Sequence, residues 1–493
     1  MTPVTAATLG AVLAQQVAGG SRFAGLFGTA EPRGVLISAH LADSGTVRTM
    51  NVLLPAPGDN YPSVTVRVGA AFWYERELQD AFGLVPVGHP RPEPLILPLP
   101  NGAGWHPRPG EQVDAPGVAA DPDPRALPRH VTGPGLFTIP HGPVRSGVLE
   151  SIEYLVETPG EDIPHLNMRV FYKHRGIEKR FEQMPAADGV LLAERVEGTA
   201  SVAHALAYCH ALERLAGCEV PLPARLVRML HAELERVAGY LDVTARLADA
   251  AGLAVATARF SWHKERVLRL VSRLCGSRFG RGIVLPGGIG GLPLAGSAEV
   301  LAETARLEKA IGADSAALMG TSSFLDRLRG TGPLRPERAR AHGALGPIGR
   351  ASGFADDSRF TRPYDAYPAV EPAQLSGHAD GDALARLRVR MDELGQSFGL
   401  IRRAASELGQ VAGQPLRADC EPAEGRAVGW AESPHGEVLY DVRLAGGRIV
   451  RCRPRSASFH NLVLMHEVFA GDILTDFPFI EASFGLCVAG VAL

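Results

Sequence analysis

Few groups of side chains in this 493-residue chain are spaced to do chemistry together. The segment Lys173–Lys179 reads KHRGIEK and brings His174, Arg175 and Glu178 into one heptapeptide. An imidazole, a fixed cation and a carboxylate that close could relay a proton or charge between a cavity and the surface. They could equally form a structural Arg175–Glu178 pair that fixes the local turn. His204 sits in an otherwise apolar helical run and reads either as a cavity-lining group or as a hydrogen-bonded core histidine. Arg350, within GPIGRASG, could hold an anion on a Gly-rich turn or simply pin that turn. Glu75, Glu77, Asp80 and His89 read as interface and helix-end residues, since carboxylates on one short helix bring no substrate by themselves. Cys209, Cys218, Cys275, Cys420, Cys452 and Cys487 include no CxxC pair. That spacing argues against a disulfide framework, a zinc ribbon, or an iron–sulfur cluster held by this chain alone, and the cysteines read as reduced cytosolic thiols. No GxGxxG motif is present, so no nucleotide site is expected.

Composition narrows the classes further. Fifty basic and fifty-three acidic residues give a net charge of −3, and no basic stripe points to nucleic acid. The hydrophobic fraction of 46% is that of a globular chain with a sizeable core. No run approaches the roughly 18 apolar residues needed to span a bilayer, and the opening segment lacks the basic start of a secretory signal. Any association with a membrane is therefore expected to run through partners or an interfacial surface.

The elements that must position these groups fall into an α+β pattern. Residues 1–105 read as a small α+β domain: a helix near Thr5–Gln16, strands at Gly34–His40, Arg48–Leu54 and Ser63–Val68, and a short helix stopped by Gly83. A Pro- and Gly-rich stretch follows, with the linker placed at 106–135 and read as a surface-hugging segment. From 136 to 493 the pattern is mainly helical with peripheral hairpins. A strand at Leu136–Pro140 precedes a hairpin of Val148–Thr158 with His165–Tyr172. Leu226, Met229, Leu230, Leu234, Val237 and Leu241 recur close to every 3.6 residues and make one apolar helix face. Further helices are expected over Phe260–Leu274, Ala298–Leu318 and Gly381–Gly409, with a late strand pair, Gly429–Glu432 and Glu437–Leu444, and a terminal helix near Phe459–Val468.

With these residues in view, a family likeness can be stated. Glu75-Arg76-Glu77, Asp80, Gly83, His89 and Pro90 resemble the ERE..D..G.....HP signature of the small hydrophilic subunit of complex I. The second domain resembles the large subunit of membrane-bound nickel–iron hydrogenases and its complex I counterpart. It does so through KHRGIEK, the segments Glu194–Glu213 and Glu219–Pro221, Leu285–Gly288, Gly346–Tyr367, Glu432–Glu437 and Arg453–Leu462. The fusion of the two modules resembles the large subunit of formate hydrogenlyase. The likeness implies a subunit of a membrane-associated oxidoreductase complex, peripheral at the cytoplasmic face of the membrane. Its implied partners are an iron–sulfur subunit, which would carry the cluster, and antiporter-like membrane subunits. NAD and quinone are the carriers of the complex I branch.

The family holds nickel and iron on four cysteines, in RxCGxC and DPCxxC motifs, because that centre requires soft thiolate donors. The corresponding positions here are Glu197, Ala200, Cys487 and Gly490, so one thiol remains of four. No nickel–iron centre and no hydrogen chemistry are expected. For quinone, the complex I branch uses a tyrosine at the position of Gly198 and a histidine in the first hairpin loop, where Arg145 stands here and His141 lies offset. Both sets of site residues have changed on a retained scaffold, and the chain reads either as an electron-transfer subunit without its own metal or as a non-catalytic scaffold or coupling subunit.

Overall fold

A computed structural model describes residues 4–55, 60–96, 133, 135–145, 150–293, 295–370, 378–411, 413–491 and 493. Helix α1 (Leu9–Ala18) leads into an antiparallel meander, β1 (Arg22–Glu31), β2 (Gly34–Asp43) and β3 (Thr46–Pro55), in register Arg22↔Ala42 and Gly34↔Pro55. Strand β1 is not expected from sequence because it is buried along most of its length and shows no alternation. The run Ser63–Val68, expected as a strand, is instead a turn that follows the short β4 (Asn60–Pro62). It wraps the buried carboxylate of Glu75, which accepts the N–H groups of Val64 and Thr65 at 2.8 and 2.9 Å and the hydroxyl of Ser63 at 2.7 Å. Hydrogen bonds to that carboxylate replace a strand ladder.

Glu75 belongs to α2 (Phe72–Phe82), which Gly83 ends in the left-handed conformation, φ 70°. The backbone then forms β5 (Val85–Val87), parallel to β4, and the Pro-rich stretch begins. Its first part is core rather than tail. Leu95 and Ile96 are buried, and Asp80 accepts both of their N–H groups at 2.8 and 2.7 Å. The expected linker at 106–135 lies almost entirely outside the described residues.

The larger part begins with a three-stranded sheet of β6 (Phe137–His141), β7 (Glu153–Thr158) and β8 (His165–Arg169). Short helices α3 (Ile177–Phe181) and α4 (Gly189–Ala193) lead to α5 (Ser201–Ala216), α6 (Leu222–Ala250) and α7 (Ala254–Cys275). A two-stranded turn of β9 (Val284–Leu285) and β10 (Gly288–Ile289) precedes α8 (Ser297–Met319) and the short α9 (Ser322–Leu328), α10 (Pro336–His342), α11 (Gly346–Ala351) and α12 (Ser358–Thr361). Then come α13 (Ala383–Leu408) and the antiparallel β11 (Gly425–Ser433), β12 (Gly436–Ala445) and β13 (Arg448–Arg455). The expected terminal helix is three pieces: α14 (Ala457–Leu462), α15 (Met465–Val468) and α16 (Phe477–Phe484). Among the described residues no helix is long and apolar enough to cross a membrane.

Two cores result. One joins α5, α6, α7, α13 and the inner face of β11–β12. The other runs from β1–β3 and α2 into the β6–β8 sheet and α14–α16. Trp73 and Tyr74 of α2 pack edge-on against Phe459, and the Tyr74 hydroxyl lies 2.8 Å from Nδ1 of His460. The amino-terminal elements therefore share their apolar interior with the carboxyl end of the chain.

Candidate functional site

The turn between α4 and α5 carries Glu197, whose side chain is buried at the foot of α5. Two helical turns on, His204 presents Nε2 at 3.4 Å from a Glu197 oxygen, and its Nδ1 lies 2.9 Å from the hydroxyl of Tyr440 on β12. Carboxylate, imidazole and phenol thus stand in line, all buried. Burial by itself would raise the Glu197 pKa. His204 alongside holds the carboxyl below its ordinary value instead. Burial pushes the Tyr440 phenol well above its usual range. His435, whose Nε2 is 3.0 Å from the Thr199 hydroxyl, is driven down to about 4 by burial and stays neutral.

The four positions that correspond to the family's metal cysteines do come together here. Gly490 lies so close to Glu197 that a β-carbon at that position would overlap the carboxylate and the Ser456 hydroxyl. Ser456 donates to the Gly490 carbonyl at 2.5 Å, and the Cys487 N–H donates to the Ser458 hydroxyl at 3.0 Å. Ala200 is fully buried and offers only its carbonyl, taken by the His204 N–H at 3.0 Å. Burial beside Glu197 pushes the Cys487 thiol up to about 12, so it keeps its proton. One protonated thiol and one hard carboxylate, with the remaining space filled, do not fit a nickel–iron centre. Among the described residues no group of three or more His, Cys, Asp or Glu could hold a metal ion.

Beside this cluster, a cavity of about 300 Å³ opens between the foot of α5, α6 and α7. Exposed Gly198 and half-buried Thr199 form one wall, and Val202, Leu234, Leu268 and Val271 form apolar ones. His231, Glu235 and Asp242 line it from α6, and Asp242 is paired with Lys264 of α7. His231 donates from Nδ1 to the Val227 carbonyl at 2.9 Å, which leaves Nε2 as a lone-pair acceptor with no partner among the described residues. Burial lowers its pKa to about 4. Glu235 accepts the first free N–H groups of α5, those of Val202 and Ala203, at 2.7 and 3.1 Å, and burial still raises its pKa to about 8.

His141 and Arg145, expected opposite Gly198, do not line this cavity. Arg145 makes a two-pronged pair with Glu481 of α16 at 2.9 and 2.6 Å and lies over the Tyr154 ring at 5.0 Å. His141 packs edge-on against Phe477. The hairpin loop is thereby tied to the carboxyl-terminal helix, because its cation finds a carboxylate there.

The KHRGIEK group also divides. His174 and Glu178 line a separate cavity of about 60 Å³ together with Glu77, Arg451 and Arg453. Arg453 bridges Glu77 at 2.6 Å and Glu178 at 2.9 Å, and Arg451 pairs with Glu178 as well. Burial, with Glu178 nearby, raises Glu77 to about 7, whereas the two arginines hold Glu178 below its ordinary value despite its burial. The Arg175–Glu178 pair anticipated from sequence is replaced by these contacts. Arg175 turns the other way and donates to the carbonyls of Val196 and Ala489 at 2.7 and 2.5 Å, clamping the two segments that meet at Glu197 and Gly490.

Arg350 has no edge free for an anion. It is buried against Glu393 at 2.6 Å and Glu432 at 3.0 Å, in a network that continues through Asp357, Arg359 and Glu233. Tyr440, His231 and Glu235 are not singled out by sequence reasoning, because each sits in an ordinary strand or helix pattern and only packing aims it at the site. His435 lies in the turn between β11 and β12, within the Glu432–Glu437 segment that carries part of the likeness.

Known proteins align with this chain over most of its length. The family model of the respiratory-chain NADH dehydrogenase 49 Kd subunit matches residues 252–419 and 414–492, and that of the 30 Kd subunit matches residues 11–109. Formate hydrogenlyase subunit 5 of Escherichia coli (strain K12) is 29% identical over 449 residues, 89% of this chain and 78% of that protein. An NADH-quinone oxidoreductase subunit of Carboxydothermus hydrogenoformans is 30% identical over 358 residues, 71% of this chain and 96% of that protein. A chain in the structure of the membrane-bound sulfane sulfur reductase, an archaeal respiratory membrane complex, superposes with a TM-score of 0.68 at 24% identity, over 73% of this chain and 99% of that one. That superposition supports the α+β fold.

Proposed function

The chain belongs to the family of the 49-kDa subunit of respiratory-chain NADH dehydrogenase, and from that premise we propose that it is an electron-transfer subunit of a membrane-associated oxidoreductase complex that works without a nickel–iron centre. The observation that carries the reading is the Glu197 carboxylate lying in the space a side chain at Gly490 would need, at the point where four ligand positions converge. In this reading electrons arrive from a cluster on an iron–sulfur partner. The chain rests on membrane subunits at the cytoplasmic face.

Its own residues would handle protons. Reduction of a carrier in the cavity takes up protons, and Glu197, His204 and Tyr440, in line beside Gly198, would be the groups that hand one towards it, with His204 standing between the carboxylate and the phenol. Arg175 fixes both backbone segments around that carboxylate and takes no proton itself. His174 and Glu178, in their own cavity, form a second charged cluster at the junction with α2. The cavity beside Gly198 has apolar walls suited to a ring-shaped carrier of the quinone class. The His231 Nε2 acceptor there favours the hydroxyl-bearing, reduced form over the carbonyl form.

The test is metal analysis and turnover of the purified complex. We expect iron from the partner's cluster, no stoichiometric nickel, and no hydrogen uptake or evolution. Electron transfer to an added quinone should fall at least about tenfold in Glu197→Gln and His204→Phe, as befits loss of a proton-transfer group. One nickel per chain would overturn the reading. Unchanged turnover in both variants would favour the alternative of a scaffold that carries no protons.

A further inference from the structure

Two cysteines far apart in sequence meet at the end of α5 opposite the Glu197 cluster. Gly217 ends the helix in the left-handed conformation, φ 61°, and the Cys218 N–H donates to the Glu213 carbonyl at 3.2 Å. The carboxylate of the same Glu213 accepts the Gly287 N–H at 2.9 Å. A β-carbon built on Gly287 would stand 2.8 Å from Cβ of Cys420. The segment that carries Cys420 is held on both sides: the Ala418 N–H donates to the Gly287 carbonyl at 2.9 Å, and the Ala423 N–H to the Leu215 carbonyl at 3.3 Å. Both backbones are thus fixed around Glu213, with the Cys218 and Cys420 thiols as neighbours there. Both residues are partly exposed.

The other cysteines are differently placed. Cys209 and Cys452 are buried, and Cys275 donates its thiol proton to the Val271 and Ser277 carbonyls at 3.4 Å. Cys487 sits beside Glu197. Nothing in the proton path or the cavity uses Cys218 or Cys420.

We propose that Cys218 and Cys420 are a reversible thiol–disulfide pair, oxidised by low-molecular-weight disulfides and reopened by thiols. The Cys218 sulfur attacks one sulfur of the small disulfide and expels one small thiol, leaving a mixed disulfide. Cys420 then gives up its proton and attacks the Cys218 sulfur, expelling the second small thiol. Two protein thiols are oxidised, one small disulfide is reduced to two thiols, and two protons pass to them. Burial and the neighbouring Cys218 push the Cys420 thiol up to about 12, which disfavours Cys420 as the entering nucleophile and suits it to the second step. The bond would close a loop on the order of 200 residues and tie the segment before β11 to α5, the helix whose first turn carries the proton path.

The experiment uses the full-length chain in its purified complex. The complex is incubated with oxidised glutathione, trapped with N-ethylmaleimide, digested and analysed by mass spectrometry. The expected result is a joined Cys218–Cys420 peptide with loss of alkylation at both residues, restored by dithiothreitol. In Cys420→Ser the reaction should stop with one glutathione on Cys218. Full alkylation of both residues in the native chain would overturn the proposal. So would separate adducts with no joined peptide, or a Cys420→Ser variant that takes up no glutathione.

Discussion

Oε1 of Glu197 occupies the space that any β-carbon at Gly490 would need, although the two residues come from the start of the helical region and the carboxyl end of the chain. In a four-cysteine site both positions would present sulfur towards a shared metal. Here a longer acidic side chain at one position is accommodated by the absence of a side chain at the other. The two positions are sterically complementary, so they fail to fit a four-thiolate centre on packing as well as on donor chemistry.

That relationship can be read by a double-mutant cycle. Gly490→Ala is expected to destabilise the chain by about 1–3 kcal/mol, as overpacking of a buried site does. Glu197→Ala in the same chain should relieve most of that cost, giving strong non-additivity in denaturant melts. Additive effects would show that the two side-chain positions do not share one space.

Cys487 is expected to behave as a small buried group. Its thiol, pushed up to about 12 by burial, should resist iodoacetamide at pH 8 in the folded chain, and Cys487→Ser should leave assembly and turnover near the parent values. Rapid alkylation at that residue, or loss of the complex in the serine variant, would contradict this.

Glu235 should make stability depend on pH. Burial outweighs its two backbone hydrogen bonds and raises the folded pKa to about 8, above the ordinary glutamate value of 4.5. The folded state therefore holds this proton more tightly. The stabilisation is fully present below pH 4.5 and is lost as pH rises to about 8, with a size of about 2–4 kcal/mol. Glu235→Gln keeps an acceptor for the Val202 and Ala203 N–H groups, so urea melts across that range should flatten for this variant.

Arg350 should prove structural. Removing it as Arg350→Ala strands the buried carboxylates of Glu393 and Glu432, with an expected cost of about 3–5 kcal/mol. Arg350→Lys supplies one point charge where a planar fork spans two carboxylates, and should recover only part of that loss in thermal melts. Added phosphate should not protect either variant.

Much of this protein is legible in residue order alone. The α+β class, the long helices α5, α6, α7, α8 and α13 and the hairpins follow from periodicity and turn signals, which are local properties, while the changed metal-cysteine positions are what the family resemblance implies. What the side chains face is not local. Arg451, Arg453 and Arg455 of β13 are buried because Glu178, Glu77 and Glu437 reach them from elsewhere in the chain, which residue order does not show. His174, Arg175 and Glu178, adjacent in sequence, serve different partners because the chain turns at Gly176 into α3 and their side chains diverge. Arg145, expected at a pocket, is committed to Glu481, a carboxylate on a helix that residue order gives no reason to place there. Charged groups pair with whatever opposite charge the packed backbone brings within reach, and that is settled only when the apolar cores close.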